Sequence, residues 1–146
     1  MIVTLIGEDM LKISHRGNTN GPSIDENKPH KVMEVIYSGY DCEVDLWFTR
    51  EGLFLGHDKP TYKIDYHFLV NKHLWVHCKN YDAFVNLIND PHIHLFWHTD
   101  GIALTTKGYL WTAPGLIVGD KSIAVMPELD KGWNYPKAFG VCTDYL

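Results

Sequence analysis

The chain has few cysteines, little positive charge and no long apolar run, and each shortage removes a class of protein. Cys42, Cys78 and Cys142 are odd in number and widely separated, which argues against a framework of paired disulfides. Their apolar or β-branched neighbours read instead as burial of free thiols in a reducing compartment. Lys and Arg number 13 against 18 Asp and Glu, a formal net charge of -5, so a bulk electrostatic hold on nucleic acid is not expected. No window approaches the ~18 apolar residues of a membrane span, and residues 1–9 lack the basic start and apolar stretch of a secretory leader. The expectation is a cytoplasmic protein with no stable membrane insertion. Low-complexity tracts and repeats are missing too, whereas 45% hydrophobic and 13% aromatic residues suit an ordered core. At 146 residues a single domain, residues 1–146, is expected, well short of the ~250 residues of a full (β/α)8 barrel.

What is present begins with a short strand, Met10-Leu11-Lys12-Ile13, stopped by Gly17, Asn18, Asn20, Gly21 and Pro22. His15 and Arg16 therefore fall at a strand's carboxyl end, where α/β sheets place their chemistry. His passes protons near neutral pH and Arg grips an oxyanion through two parallel N–H bonds, a pair suited to a phosphate or carboxylate. Residues 29–38 read as a helix, with Pro29 in its first turn, a stripe of Val32, Val35 and Ile36, and Gly39 to close it. Residues 41–48 then alternate strictly, Cys42, Val44, Leu46 and Phe48 on one face, Asp41, Glu43, Asp45 and Trp47 on the other. Taken alone, such an acidic face simply meets water.

Thr49-Arg50-Glu51-Gly52 makes a turn, and residues 53–58 return as the second strand of a hairpin ending in His57-Asp58. In residues 74–79, Leu74, Val76 and Cys78 share one face, and Trp75, His77 and Lys79 the other. Asn80 is placed to cap a second helix over residues 81–89, which Asp90-Pro91 terminates. Strands over 93–98, 109–113, 122–127 and 140–145 follow, joined by Gly- and Pro-containing loops too short for ordinary crossover helices. With so few helices, the expected fold is α/β, a reduced or distorted TIM-like (β/α) barrel. Its uncovered flank would be apolar and could support a homodimer.

Four ordered motifs, His15-Arg16-Gly17, Glu26-Asn27, Glu43-Val44-Asp45 and Gly56-His57-Asp58, resemble the signature of the glycerophosphodiester phosphodiesterase family, within the phospholipase-C-like phosphodiesterase barrels. Lys79 falls where that family has the lysine of a Glu-x-Lys strand, and Gly140-Val141-Cys142-Thr143-Asp144 resembles its last strand. The resemblance implies that Glu43 and Asp45 bind one divalent cation, usually Mg2+ or Ca2+, and that His15 and His57 act as general acid and base on a phosphodiester. It also implies that Arg16 and Lys79 offset charge on the phosphoryl group.

The residue types agree with those roles. Carboxylates two apart on a strand point the same way and supply hard oxygen ligands from one rigid element. The family's third acidic ligand is replaced here by His77, which removes a negative charge and suits Zn2+, Mn2+ or iron better than Ca2+. Glu128, Asp100 or Asp144 could reach the cation instead, although Asp144 reads better as orienting a site residue. His30, His67, His73, His92, His94 and His98 read as surface or packing residues, and Trp47, on the acidic face, as a floor for a substrate pocket. The expected activity is hydrolysis of a small glycerophosphodiester or phospholipid headgroup. The alternatives are a non-catalytic phosphoester-binding module and a phospholipase-D-like lyase that releases a cyclic phosphate.

Overall fold

A computed structural model describes Gly7 and residues 9–146; residues 1–6, read above for a leader, lie outside the described residues. Ten strands form: β1 (Leu11–His15), β2 (Asp41–Thr49), β3 (Gly52–Leu55), β4 (Tyr62–Ile64), β5 (Leu74–Cys78), β6 (Leu95–Phe96), β7 (Ile102–Leu104), β8 (Leu110–Thr112), β9 (Ser122–Val125) and β10 (Gly140–Thr143). Among the described residues three short α-helices accompany them: α1 (Pro29–Tyr37), α2 (Tyr66–Leu69) and α3 (Tyr81–Leu87). Asn80 does cap α3, accepting from the Ala83 N–H at 3.1 Å. Asp65 caps α2 in the same way, at 3.0 Å from the Phe68 N–H.

The strands run parallel in the order β6-β5-β2-β1-β10-β9-β8. To this core are added an antiparallel β7 beside β8 and an antiparallel β3–β4 ribbon on β2. The TIM-like barrel expected from the sequence is therefore corrected: the molecule is a curled, mixed, half-barrel sheet without regular β/α alternation. The reason is local. From β6 onward the connections are loops too short or too irregular to place a helix, and β6 and β7 do not pair among the described residues. Thr106 bridges them instead, giving its N–H to Leu95 C=O and taking the Leu95 N–H on Oγ1, both at 2.9 Å.

Two faces of the sheet are buried differently. Cys42, Val44, Leu46, Leu74 and Val76 pack outward under Val32 and Val35 of α1 and Ala83 and Leu87 of α3. Where no helix is available, the β9–β10 connection does the covering, with Trp133, Tyr135 and Ala138 over Ala124 and Val141. The inner face is filled by Ile13, Trp75, Phe96, Trp111, Ile123 and Cys142. Each such side chain contributes about 1.5–3 kcal/mol when fully buried. At the β7–β8 end Ile102, Leu104 and Leu110 remain exposed. The three cysteines are buried free thiols, and burial pushes the Cys78 thiol up to about 12. No helix among the described residues is long and apolar enough to cross a membrane.

Candidate metal centre

The site is assembled around β2, whose outward residues 42, 44 and 46 belong to the helix-covered core, so Glu43 and Asp45 point into the curl. Register does the rest: His15 lies beside Glu43, and Asp45 lies beside His77. One edge of β2 is shared end to end by two strands, β1 along its first half and β3 along its second. Where they meet, Arg16 N–H donates to Glu43 C=O at 3.0 Å and Gly56 N–H to Asp45 C=O at 3.1 Å. Gly56 is required there, because a β-carbon would collide with the Lys59 carbonyl.

Burying two carboxylates this completely, with Glu43 2% and Asp45 0% exposed, demands compensation. Asp45 Oδ2 accepts the Asn27 Nδ2–H at 2.9 Å and forms an ion pair with Arg16 Nε 3.0 Å away, without hydrogen-bond alignment, and the Asp45 N–H donates to Asn27 Oδ1 at 2.9 Å. Burial alone would favour the neutral acid, yet His77, Arg16 and Asn27 together hold the Asp45 carboxyl well below the usual carboxylate range. Arg16 (φ 60) and Asn27 (φ 64) both adopt left-handed backbone, a strain of about 1–3 kcal/mol each that persists only where the surroundings enforce it.

His77 completes the group. Its Nε2 lies 2.9 Å from the His98 carbonyl, which can only accept, so Nε2 carries the proton and Nδ1 faces the acids. Nδ1 stands 3.2 Å from Asp45 Oδ1 and 3.7 Å from Glu43 Oε2. Burial works against a charge on this ring, but Asp45 and Glu43 outweigh it and push His77 up to about 9. Ligand atoms of Glu43, Asp45 and His77 all lie within 4.8 Å of one another. Glu43 Oε1 and Asp45 Oδ1 are buried without a hydrogen-bond partner. Such orphaned acceptors beside an imidazole nitrogen that gives up its proton on metal binding fit a divalent cation, and Glu43, Asp45 and His77 could hold one.

A second constellation adjoins the first. His15 Nδ1 is 2.8 Å from Asp144 Oδ1, so Asp144 orients the imidazole and leaves Nε2 to carry protons. Burial lowers the affinity of His15 for a proton, but the Asp144 hydrogen bond and the charge of Glu43 reverse the balance and raise it above its ordinary value. Asn18 ties the two parts together through one amide, donating to Asp144 Oδ1 at 2.9 Å and Glu26 Oε2 at 2.8 Å. Glu26 in turn accepts from Arg16 Nη1 at 3.2 Å.

Compared with known protein families, curated proteins and solved structures, the chain matches none.

Of the residues singled out from the sequence, His15, Arg16, Glu43, Asp45 and His77 converge. His57 does not join them. It is exposed on the rim, 2.8 Å from its neighbour Asp58, and lines a 150 Å³ pocket with Glu26, Asn27 and Tyr62. Lys79 is half-buried and its backbone N–H donates to Leu46 C=O at 2.8 Å; among the described residues its side chain makes no ion pair. Asp100 is exposed, and Glu128 is taken up by Thr143 Oγ1 and the Asp144 N–H, at 2.8 and 2.9 Å. Trp47 donates its indole N–H to Gly56 C=O at 2.7 Å and so anchors the His57 turn. Asn18, the amide of Asn27 and the His98 carbonyl had no individual role in the sequence reading. Asn18 figured there only as a strand stop, His98 as a surface or packing residue, and Asn27 as the second residue of Glu26-Asn27.

Proposed function

We propose that this centre is a metal-dependent phosphodiesterase site of the glycerophosphodiester phosphodiesterase type, acting on a small glycerophosphodiester or phospholipid headgroup. The observation that carries the reading is the junction of two devices on one wall, an acid-lined group able to hold a cation and a carboxylate-oriented histidine held toward its charged form. A bound divalent cation would polarise a phosphoryl oxygen and hold the diester in place.

The chain's own residues supply the rest. His15, protonated and steered by Asp144, gives its proton to the departing alkoxide as the P–O bond breaks. A water attacks phosphorus and releases its proton to solvent at the open rim, where His57 stands exposed beside Asp58. Arg16 has Nε and Nη1 engaged by Asp45 and Glu26, so it holds the carboxylates in place more than it grips substrate, and Lys79 is the freer cation for the phosphoryl group. With net charge -5, a nucleic-acid substrate is disfavoured.

The test is release of glycerol phosphate from glycerophosphocholine by metal-loaded protein. Hydrolysis should disappear with a chelator and with His15→Ala, while His15→Ala still binds metal. Tight binding of glycerophosphocholine without turnover across several divalent ions would favour the binding-module reading, and a cyclic phosphate product the lyase.

A further inference from the structure

We infer that the Glu43, Asp45 and His77 centre selects a first-row transition dication, Mn2+ or Zn2+, over Mg2+ and Ca2+, and that His77 makes the selection. The inference rests on the metal-dependent reading above and concerns which ion the site takes. Its first argument is the donor count. Asp45 can offer only Oδ1, because Oδ2 is held by Asn27 and Arg16 at 2.9 and 3.0 Å. The main-chain carbonyls of Glu43 and Asp45 already accept from Arg16 and Gly56. The wall therefore provides carboxylate oxygens from two residues and one nitrogen, far fewer oxygens than the six to eight that Ca2+ seeks, while Mg2+, which can fill its octahedron with water, is disfavoured by the nitrogen itself.

The second argument is rigidity. A histidine free to turn could leave an oxygen-only site to a hard ion, but His77 cannot turn. Its Nε2 is fixed at 2.9 Å to the His98 carbonyl, and its ring stacks on Phe96 with centroids 5.0 Å apart and planes 7° from parallel. Nδ1 is thus presented permanently beside the unpartnered Glu43 Oε1 and Asp45 Oδ1. Imidazole nitrogen binds Mn2+ and Zn2+ far better than the alkaline earths, so each ion is admitted according to how well it accepts that one donor. The arrangement of an anchored ring whose other nitrogen is hydrogen-bonded to a carbonyl is the usual support of a histidine ligand.

Metal-free full-length protein would be titrated calorimetrically with MgCl2, CaCl2, MnCl2 and ZnCl2 in turn, and the Mn2+ form examined by electron spin-echo spectroscopy for nitrogen coupling. The expected result is Mn2+ and Zn2+ binding at least roughly tenfold tighter than Mg2+ or Ca2+, with one imidazole nitrogen coupled to Mn2+. His77→Gln should erase the coupling and weaken Mn2+ and Zn2+ on the order of 10–100-fold while changing Mg2+ little; His77→Glu should bring Mg2+ and Ca2+ up. Equal affinity for all four ions, absence of nitrogen coupling in the wild-type protein, or no binding of any of them would overturn the inference. Hydrolysis of glycerophosphocholine measured on the same samples separates the two claims. Selective binding without turnover sustains the ion preference and removes the phosphodiesterase reading; turnover with Mg2+ bound as tightly as Mn2+ does the reverse.

Discussion

Asn27 offers the most exacting test of how the carboxylates are held. Its side chain makes two bonds to Asp45, both 2.9 Å, and its backbone sits at φ 64. The amide-to-carboxylate bond is charge-assisted and contributes about 2 kcal/mol, the bond from the Asp45 N–H about 1 kcal/mol. Asn27→Gly removes both bonds but relieves about 1 kcal/mol of the left-handed strain that the asparagine β-carbon carries, so a loss of about 2 kcal/mol is expected. Asn27→Ala removes the same bonds and keeps a β-carbon in that conformation, so a loss of about 3 kcal/mol is expected. In a chain of this size those losses lower Tm by roughly 4–12 °C, measurable by urea or thermal unfolding in the presence of a chelator. Because Asp45 would then be free to rotate, metal affinity should fall on the order of 10–100-fold in both variants. A loss below about 1 kcal/mol for Asn27→Gly would refute the clamp, and equal losses for the two variants would refute the backbone argument.

Three further outcomes are expected. Metal-free protein should be most stable near pH 6.5. His77 has its proton affinity raised to about 9, so its contribution is complete below 6.5 and lost as pH rises from 6.5 to 9, whereas burial lowers His94 to about 4, so stability also falls as pH drops from 6.5 toward 4; His77→Gln should flatten the alkaline limb of an unfolding-against-pH curve. Asp144→Asn should move the proton-donor limb of the hydrolysis pH profile to lower pH, since the Asp144 bond is the largest of the influences that raise His15, and calorimetry should show metal binding unchanged; an unmoved limb would exclude His15 as the donor. Gly56→Ala should displace the turn that carries His57 through its clash with the Lys59 carbonyl, with a loss of about 1–3 kcal/mol on denaturation; unchanged stability would show that the turn has room.

The sequence reading succeeded where a single periodic signal dominated. The alternation of Asp41 to Phe48 defined β2 and placed Glu43 with Asp45, and Asn80 marked the start of α3. It failed where structure depends on partners distant in the chain. β4, β7 and α2 are three or four residues long, too short for periodicity, and β7 exists because Ile102 to Leu104 finds β8 opposite. The barrel expectation extrapolated parallel strands around a full circle, but closure depends on how β6 meets β7, which no local pattern encodes. Within the site, residue types at β2 and β5 were readable because two-residue spacing fixes a face. The exposure of His57 was not, since it depends on the turn that Trp47 and Gly56 impose.

The two devices of the site become available at different moments of the chain's synthesis. Glu43, Asp45 and His77 lie within neighbouring β2 and β5, early in the chain. His15 gains Asp144 across 129 residues, and only after β10 has slotted in beside β1. In a nascent chain every residue that could hold the ion is therefore made before β9 and β10, whereas His15 has no orienting carboxylate until the last strand arrives. That closing contact spans the longest loop of the site and carries its largest loop-closure cost.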